Sequence, residues 1–149
     1  TPLHKAAEYG HLDICKFIMD QSTDKNPGGM FGDTPLHMAA KEGRSIVFDY
    51  IIKQVQYKNP PNLDGYTPLH RAAKGGHIEI CKLILGKVFN KSPISDNGET
   101  PLDLAREMNQ VEIIELLSDW RLNKPLFEFS IKFHFGSIFW TLNFIISNI

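Results

Sequence analysis

The sequence predicts an all-α solenoid in which four helix pairs of equal length stack side by side. Three observations predict this fold. A Thr-Pro-Leu motif recurs every 33 residues, apolar residues in each unit follow helical spacing, and a glycine-containing turn precedes each new motif. Because two short helices cannot bury their apolar faces alone, the units are expected to stack.

The repeat extends well beyond the motif itself. Several other columns keep the 33-residue step: Ala6, Ala39, Ala72 and Ala105; Gly10, Gly43 and Gly76; Ile14, Val47, Ile80 and Ile113; Ile18, Ile51, Ile84 and Leu117. Agreement of this many columns over four units excludes chance similarity.

Each unit is predicted to begin with a capped helix. Thr1 is suited to the N-cap and Pro2 to the first helical position, where its missing N–H has no cost. Small alanines follow and allow close helix contact, and Gly10 is expected to end the helix in a left-handed C-cap. A second helix is predicted from about Leu12 to Asp20.

A hairpin-like loop is predicted between units. Tight-turn pairs lie just before each new motif, at Gly32-Asp33, Asp64-Gly65 and Asn97-Gly98. Asn, Asp and Gly favour such turns because they tolerate positive φ.

On these residues the chain resembles the ankyrin-repeat family, whose period and Thr-Pro-Leu-His-x-Ala motif it shares. The resemblance covers residues 1–122, as repeats 1–33, 34–66, 67–99 and 100–122, and leaves 123–149 as a hydrophobic tail. The chain departs from the family pattern at Arg44, Asp103, Asn109 and Gln110. Polar change in a last repeat is what a capping unit needs, since its outer face meets water.

Charge and cysteine content argue against a nucleic-acid partner and indicate a cellular compartment. The net charge is −1, which is no electrostatic footprint for nucleic acid. Two cysteines, Cys15 and Cys81, suggest no disulfide framework and favour a reducing compartment. We therefore expect a cytoplasmic, or alternatively nuclear, protein.

No catalytic or metal chemistry is predicted. His4, His37 and His70 share one column, but units stacked about 8–10 Å apart cannot bring them onto one zinc ion. We expect these imidazoles to bond Thr hydroxyls or backbone and tie neighbouring units together. No nucleophile, phosphate-loop or dinucleotide motif occurs, so neither enzymatic activity nor a cofactor is expected.

The family resemblance implies that a protein partner binds a concave face made from loop tips and first helices. Mapped by position, the candidate residues are Glu8, Tyr9, Met30, Phe31, Asp33, Lys41, Glu42, Leu63, Tyr66, Lys74, Asp96, Asn97, Glu99 and Glu107. Met30, Phe31, Leu63 and Tyr66 are the sharpest candidates, because large apolar groups on loop tips reduce solubility unless covered. The alternative is local packing of one tip on the next.

The resemblance also implies one modification. Asn26 and Asn59 lie eight residues before their Thr, where the family often carries an asparagine that oxygen-dependent hydroxylases modify. The alternative is a structural asparagine that bonds the loop backbone.

Residues 125–149 differ from the repeats and contain six of the ten phenylalanines. Residues 126–135 alternate as in a strand, and the apolar run 138–146 is too short to span a bilayer as a helix. The tail could cover the last repeat as a hairpin turning at Gly136-Ser137, contact a membrane, or be foreign to the fold. We favour the last hypothesis, since the repeat does not continue.

Two functions are consistent with the sequence. The first is a non-enzymatic scaffold or adaptor that binds a protein through the concave face. The alternative is the cytoplasmic ankyrin portion of a larger membrane channel or signalling enzyme, recorded as a fragment, because the sequence begins within the motif.

Overall fold

The computed structural model describes residues 1–119, and this range contains helices but no strand. The helices are α1 (Pro2–Tyr9), α2 (Leu12–Gln21), α3 (Pro35–Lys41), α4 (Ser45–Gln54), α5 (Pro68–Gly75), α6 (Ile78–Leu85), α7 (Pro101–Glu107) and α8 (Val111–Asp119). Thr1–Leu117 form one compact unit. The predicted all-α repeat stack is confirmed, whereas the three hypotheses for the tail fall on residues outside the described range.

The first helix of each later pair begins with a two-way cap around its threonine. Thr34 has an extended backbone (φ −100°, ψ 169°) and Pro35 follows at the first helical position. His37 then completes the cap, because its Nδ1 accepts a hydrogen bond from the Thr34 N–H at 3.0 Å. Asp103 does the same for Thr100, at 3.0 Å from Oδ2 to the backbone nitrogen. The sequence predicted the threonine cap but not the reciprocal bond.

The departures from the family pattern keep the backbone of the repeat. Gly10 and Gly76 have left-handed φ values of 82° and 80°, and Asn109 occupies the same column with φ 54°. Asparagine is the residue that most readily replaces glycine there. Arg44 donates from Nε to the Glu8 carbonyl at 3.0 Å, as His77 donates from Nε2 to the Lys41 carbonyl one unit later.

The core runs continuously through the helix pairs. The first helices pack in the order α1, α3, α5 and α7, and Ala7, Ala40 and Ala73 are fully buried between them. Among the second helices, the side chains of Val47, Ile80 and Ile113 are each 1% exposed. Ile14 in the same column is 49% exposed, because no described helix pair lies before α2.

Both cysteines lie in this core. Cys15 and Cys81 are free and fully buried, in the column that holds Phe48 in the second unit. Burial raises the pKa of the Cys81 thiol to about 12 and also raises the pKa of Cys15. The thiolate, which is the reactive form, is therefore disfavoured at both positions.

Within residues 1–119, no helix combines the length and the apolar character that crossing a bilayer requires.

Candidate partner-binding site

Three hairpin loops, residues 29–33, 62–66 and 95–99, form a continuous row that we call the tip row. Each loop is closed by a backbone hydrogen bond: Gly29 N–H to Asp33 O at 2.8 Å, Asn62 N–H to Tyr66 O at 2.8 Å, and Ser95 N–H to Glu99 O at 2.9 Å. Neighbouring loops are also joined, by Leu63 N–H to Phe31 O at 3.0 Å and Asp96 N–H to Asp64 O at 3.0 Å. These bonds hold the three loops side by side in chain order.

The first loop of the tip row and the start of the middle loop are apolar and open to solvent. The side chains of Met30, Phe31 and Leu63 are 87%, 65% and 71% exposed. Leu63 rests beside Gly32, where an added Cβ would lie 3.1 Å from Leu63 Cγ. Packing of one tip on the next therefore leaves most of this apolar surface uncovered.

Tyr66 differs from the other three apolar candidates because it is half-buried in a polar cluster. Its hydroxyl donates to the Glu99 carboxylate and accepts a hydrogen bond from Asn97 Nδ2 at 3.0 Å. Its ring lies 5.4 Å from the Arg71 guanidinium carbon and meets the His70 ring edge-on, with 5.5 Å between centroids. Much of the Tyr66 side chain is therefore engaged in local packing, as the alternative interpretation expects.

Arg71 belongs to this cluster, although no sequence motif marks it as a site residue. Its Nη2 lies 3.2 Å from Asp33 Oδ2, and the Asp33 carboxylate also accepts a hydrogen bond from Asn62 Nδ2 at 2.8 Å. Arg71 occupies a column that otherwise holds Lys5, Met38 and Leu104, so no pattern marks it. Its role is visible only in the contact between a hairpin and a helix that lies 38 residues further along the chain.

The rest of the middle loop and the third loop carry acidic and other polar groups. Asp64, Asp96 and Asn97 are exposed, and Glu99 is half-buried because its carboxylate accepts from Tyr66. Within the described part of the chain, no cation lies within ion-pair distance of Asp64, Asp96 or Glu99.

The predicted first-helix residues lie on the surface in varying degree. Tyr9 is 59% exposed, and Lys41, Lys74 and Glu107 are exposed. Glu8 is half-buried, and a hydrogen bond from Lys5 at 2.7 Å lowers the pKa of its carboxyl. Glu42 is half-buried and lies 3.4 Å from Lys41 Nζ.

The histidine column forms a structural ladder between units, as predicted. Nε2 of His4, His37 and His70 donates to the backbone carbonyls of Asp33, Tyr66 and Glu99, at 2.7, 3.0 and 3.0 Å. Nδ1 of each ring bonds the preceding Thr hydroxyl. Burial lowers the pKa of His37 to about 4 and lowers those of His4 and His70.

These imidazoles have both nitrogens engaged in hydrogen bonds within the protein. Over residues 1–119, no group of three or more His, Cys, Asp or Glu side chains is arranged to hold a metal ion.

Asn26 and Asn59 have matching structural roles. Oδ1 of Asn26 accepts from the Leu36 N–H at 3.3 Å, and Oδ1 of Asn59 accepts from the Leu69 N–H at 2.9 Å. Both residues are half-buried, and Asn26 also lines an open surface depression of about 380 Å³. Each asparagine thus bonds the backbone in the first turn of the next helix rather than the loop backbone of the alternative, and hydroxylation of these residues stays a prediction.

Comparison with known proteins agrees with this architecture. A family model described as ankyrin repeats (3 copies) matches residues 1–59 and 47–125. Comparison with curated proteins gives no match. Ankyrin repeats generally bind other proteins and are typically non-catalytic. With its family-model match, its repeat period and its stack of capped helix pairs, this chain belongs to the ankyrin-repeat family.

Proposed function

We propose that this protein is a non-enzymatic scaffold or adaptor that binds a protein partner through the tip row and the exposed side of the first helices. The observation that carries the proposal is the exposure of Met30, Phe31 and Leu63 at 87%, 65% and 71% on hydrogen-bonded loops. Apolar groups held in one place lose little conformational entropy on binding, and such residues often anchor an interface.

The polar cluster of Tyr66, Asn97, Glu99, Arg71 and Asp33, called the Tyr66 cluster below, supports the proposal in a different way. The Arg71–Asp33 ion pair joins a helix to a hairpin, and Tyr66 and Glu99 join two hairpins. These contacts order the surface before a partner arrives, which reduces the entropy lost on association. Tyr66 therefore acts in part by positioning the tips, and Phe31 and Leu63 are the cleaner test of direct contact.

The experiment compares protein capture from cell extract by three forms of the full chain. Phe31→Ala/Leu63→Ala removes two exposed apolar side chains from the tip row. Ile46→Ala/Phe89→Ala is the matched control, because these side chains are 71% and 106% exposed but lie on α4 and on the loop after α6. Circular dichroism checks that all three have equal helix content.

We expect the wild type and the control to retain the same partner, and the tip variant to bind it at least tenfold more weakly. Equal capture by all three forms would show that the tip row is not the binding surface. Loss of helix content in the tip variant would identify Phe31 and Leu63 as structural residues.

We also propose that the protein acts in the cytoplasm. Its two cysteines are buried as free thiols, as expected for a protein folded in a reducing compartment.

A further inference from the structure

The tip row changes its chemical character from one end to the other. Met30 and Phe31 on the first loop and Leu63 on the middle loop supply exposed apolar surface. Asp64, next to Leu63 on the middle loop, and Asp96 on the third loop are exposed, and within residues 1–119 their carboxylates take part in no ion pair or hydrogen bond. Arg71, the cation of the Tyr66 cluster, is already engaged by Asp33 at 3.2 Å.

We infer that the partner segment has a matching polarity, with apolar side chains at one end and lysine or arginine at the other. This inference rests on the proposed function and adds the chemistry of the partner. An apolar segment alone would cover Met30 and Phe31 but would desolvate Asp64 and Asp96 without a counter-charge. An acidic segment would meet like charge at the same place.

The geometry of the stack also sets a spacing. Successive tips follow helices that pack about 10 Å apart, so the first and third tips are separated by roughly 20 Å. An extended segment covers that length in about six residues, at about 3.3 Å each. A helical segment needs about thirteen residues, at about 1.5 Å each. The basic residue that pairs with Asp96 should therefore lie about six or about thirteen positions from the apolar residue that covers Phe31.

The test uses a display library of random 16-residue peptides, selected on the full chain. Three forms are compared: the wild type, the charge-reversed variant Asp64→Lys/Asp96→Lys, and the control Asp20→Lys/Glu115→Lys. The control makes the same charge change at exposed residues of α2 and α8, away from the tip row. We expect the wild type and the control to enrich peptides with an apolar group and a basic group at the stated spacing. The charge-reversed variant should enrich acidic residues in the basic positions.

Affinity measurements on one wild-type-selected peptide complete the test. Binding should be about tenfold weaker for the charge-reversed variant, since attraction becomes repulsion at two exposed positions. Peptide binding by the wild type should also weaken as the salt concentration is raised from 0.05 to 0.5 M, and this measurement needs no variant.

The outcomes separate the inference from the proposed function. Enriched peptides without a basic bias, or a wild-type affinity that ignores salt, would overturn the inferred polarity. If Phe31→Ala/Leu63→Ala still abolished binding in that case, the tip row would remain the binding surface. Peptides whose binding is unaffected by Phe31→Ala/Leu63→Ala would contradict both.

Discussion

Lowering the pH from 7 to 5 should destabilise the repeat stack, and His37 should be the main source of the loss. This imidazole is fully buried, with Nε2 donating to the Tyr66 carbonyl and Nδ1 accepting from the Thr34 N–H. A proton added at Nδ1 would face that N–H, so it would break the cap of α3. The folded protein therefore favours the neutral ring.

The size of the effect follows from the pKa of His37, which falls from an ordinary 6.5 to about 4 in the folded chain. Because the folded pKa is the lower one, the unfolded state binds the proton first. The stabilisation is complete above pH 6.5 and is lost as the pH falls towards 4. Linkage gives a loss of about 2 kcal/mol by pH 5 and about 3 kcal/mol over the complete window. His4 and His70, whose pKa values are also lowered, add losses of the same sign.

Urea denaturation at pH 7, 6 and 5 measures this dependence directly. His37→Gln removes the titrating ring, so its unfolding free energy should fall by about 2 kcal/mol less than that of the wild type between pH 7 and 5. Ile52→Val is the control, because it removes one buried methylene and leaves every titrating group in place. The reasoning is refuted if His37→Gln keeps the full pH dependence of the wild type.

Two further predictions concern the packing and the backbone. Phe48→Ala should lower the unfolding free energy by about 3–5 kcal/mol in urea titrations, since the ring is fully buried between helix pairs; a loss below about 1 kcal/mol would show that the neighbouring units collapse into the space. Gly98→Ala should cost about 1–2 kcal/mol, because φ is 80° and nothing lies within 4 Å of the added Cβ. Gly32→Ala has a similar φ of 75° but places its Cβ 2.9 Å from the Leu63 backbone nitrogen, so it should cost clearly more. Equal melting temperatures for the two glycine variants would contradict the close approach of neighbouring tips.

Much of the proposed binding surface could be located from sequence because the repeat fixes each residue's place in its unit. Met30, Phe31 and Leu63 follow from their turn positions alone, and all three lie exposed on the tip row. The sequence did not show which candidates are exposed and which are engaged within the protein. Tyr66 has the same kind of sequence position, yet its hydroxyl and ring are engaged within the protein.

The sequence by itself determined the helix pairs, the left-handed caps and the alanine seam, because these depend on residues that lie close together and recur every 33 positions. Only the tertiary structure decided which side chains meet between units. The Arg71–Asp33 pair spans 38 residues and the His37 bond to the Tyr66 carbonyl spans 29. Such contacts depend on how one unit is placed on the next, and a column that holds Lys5, Met38, Arg71 and Leu104 carries no periodic signal of that placement. The proposed partner surface includes such a variable position, which is why its Arg71–Asp33 ion pair emerged only with the stack assembled.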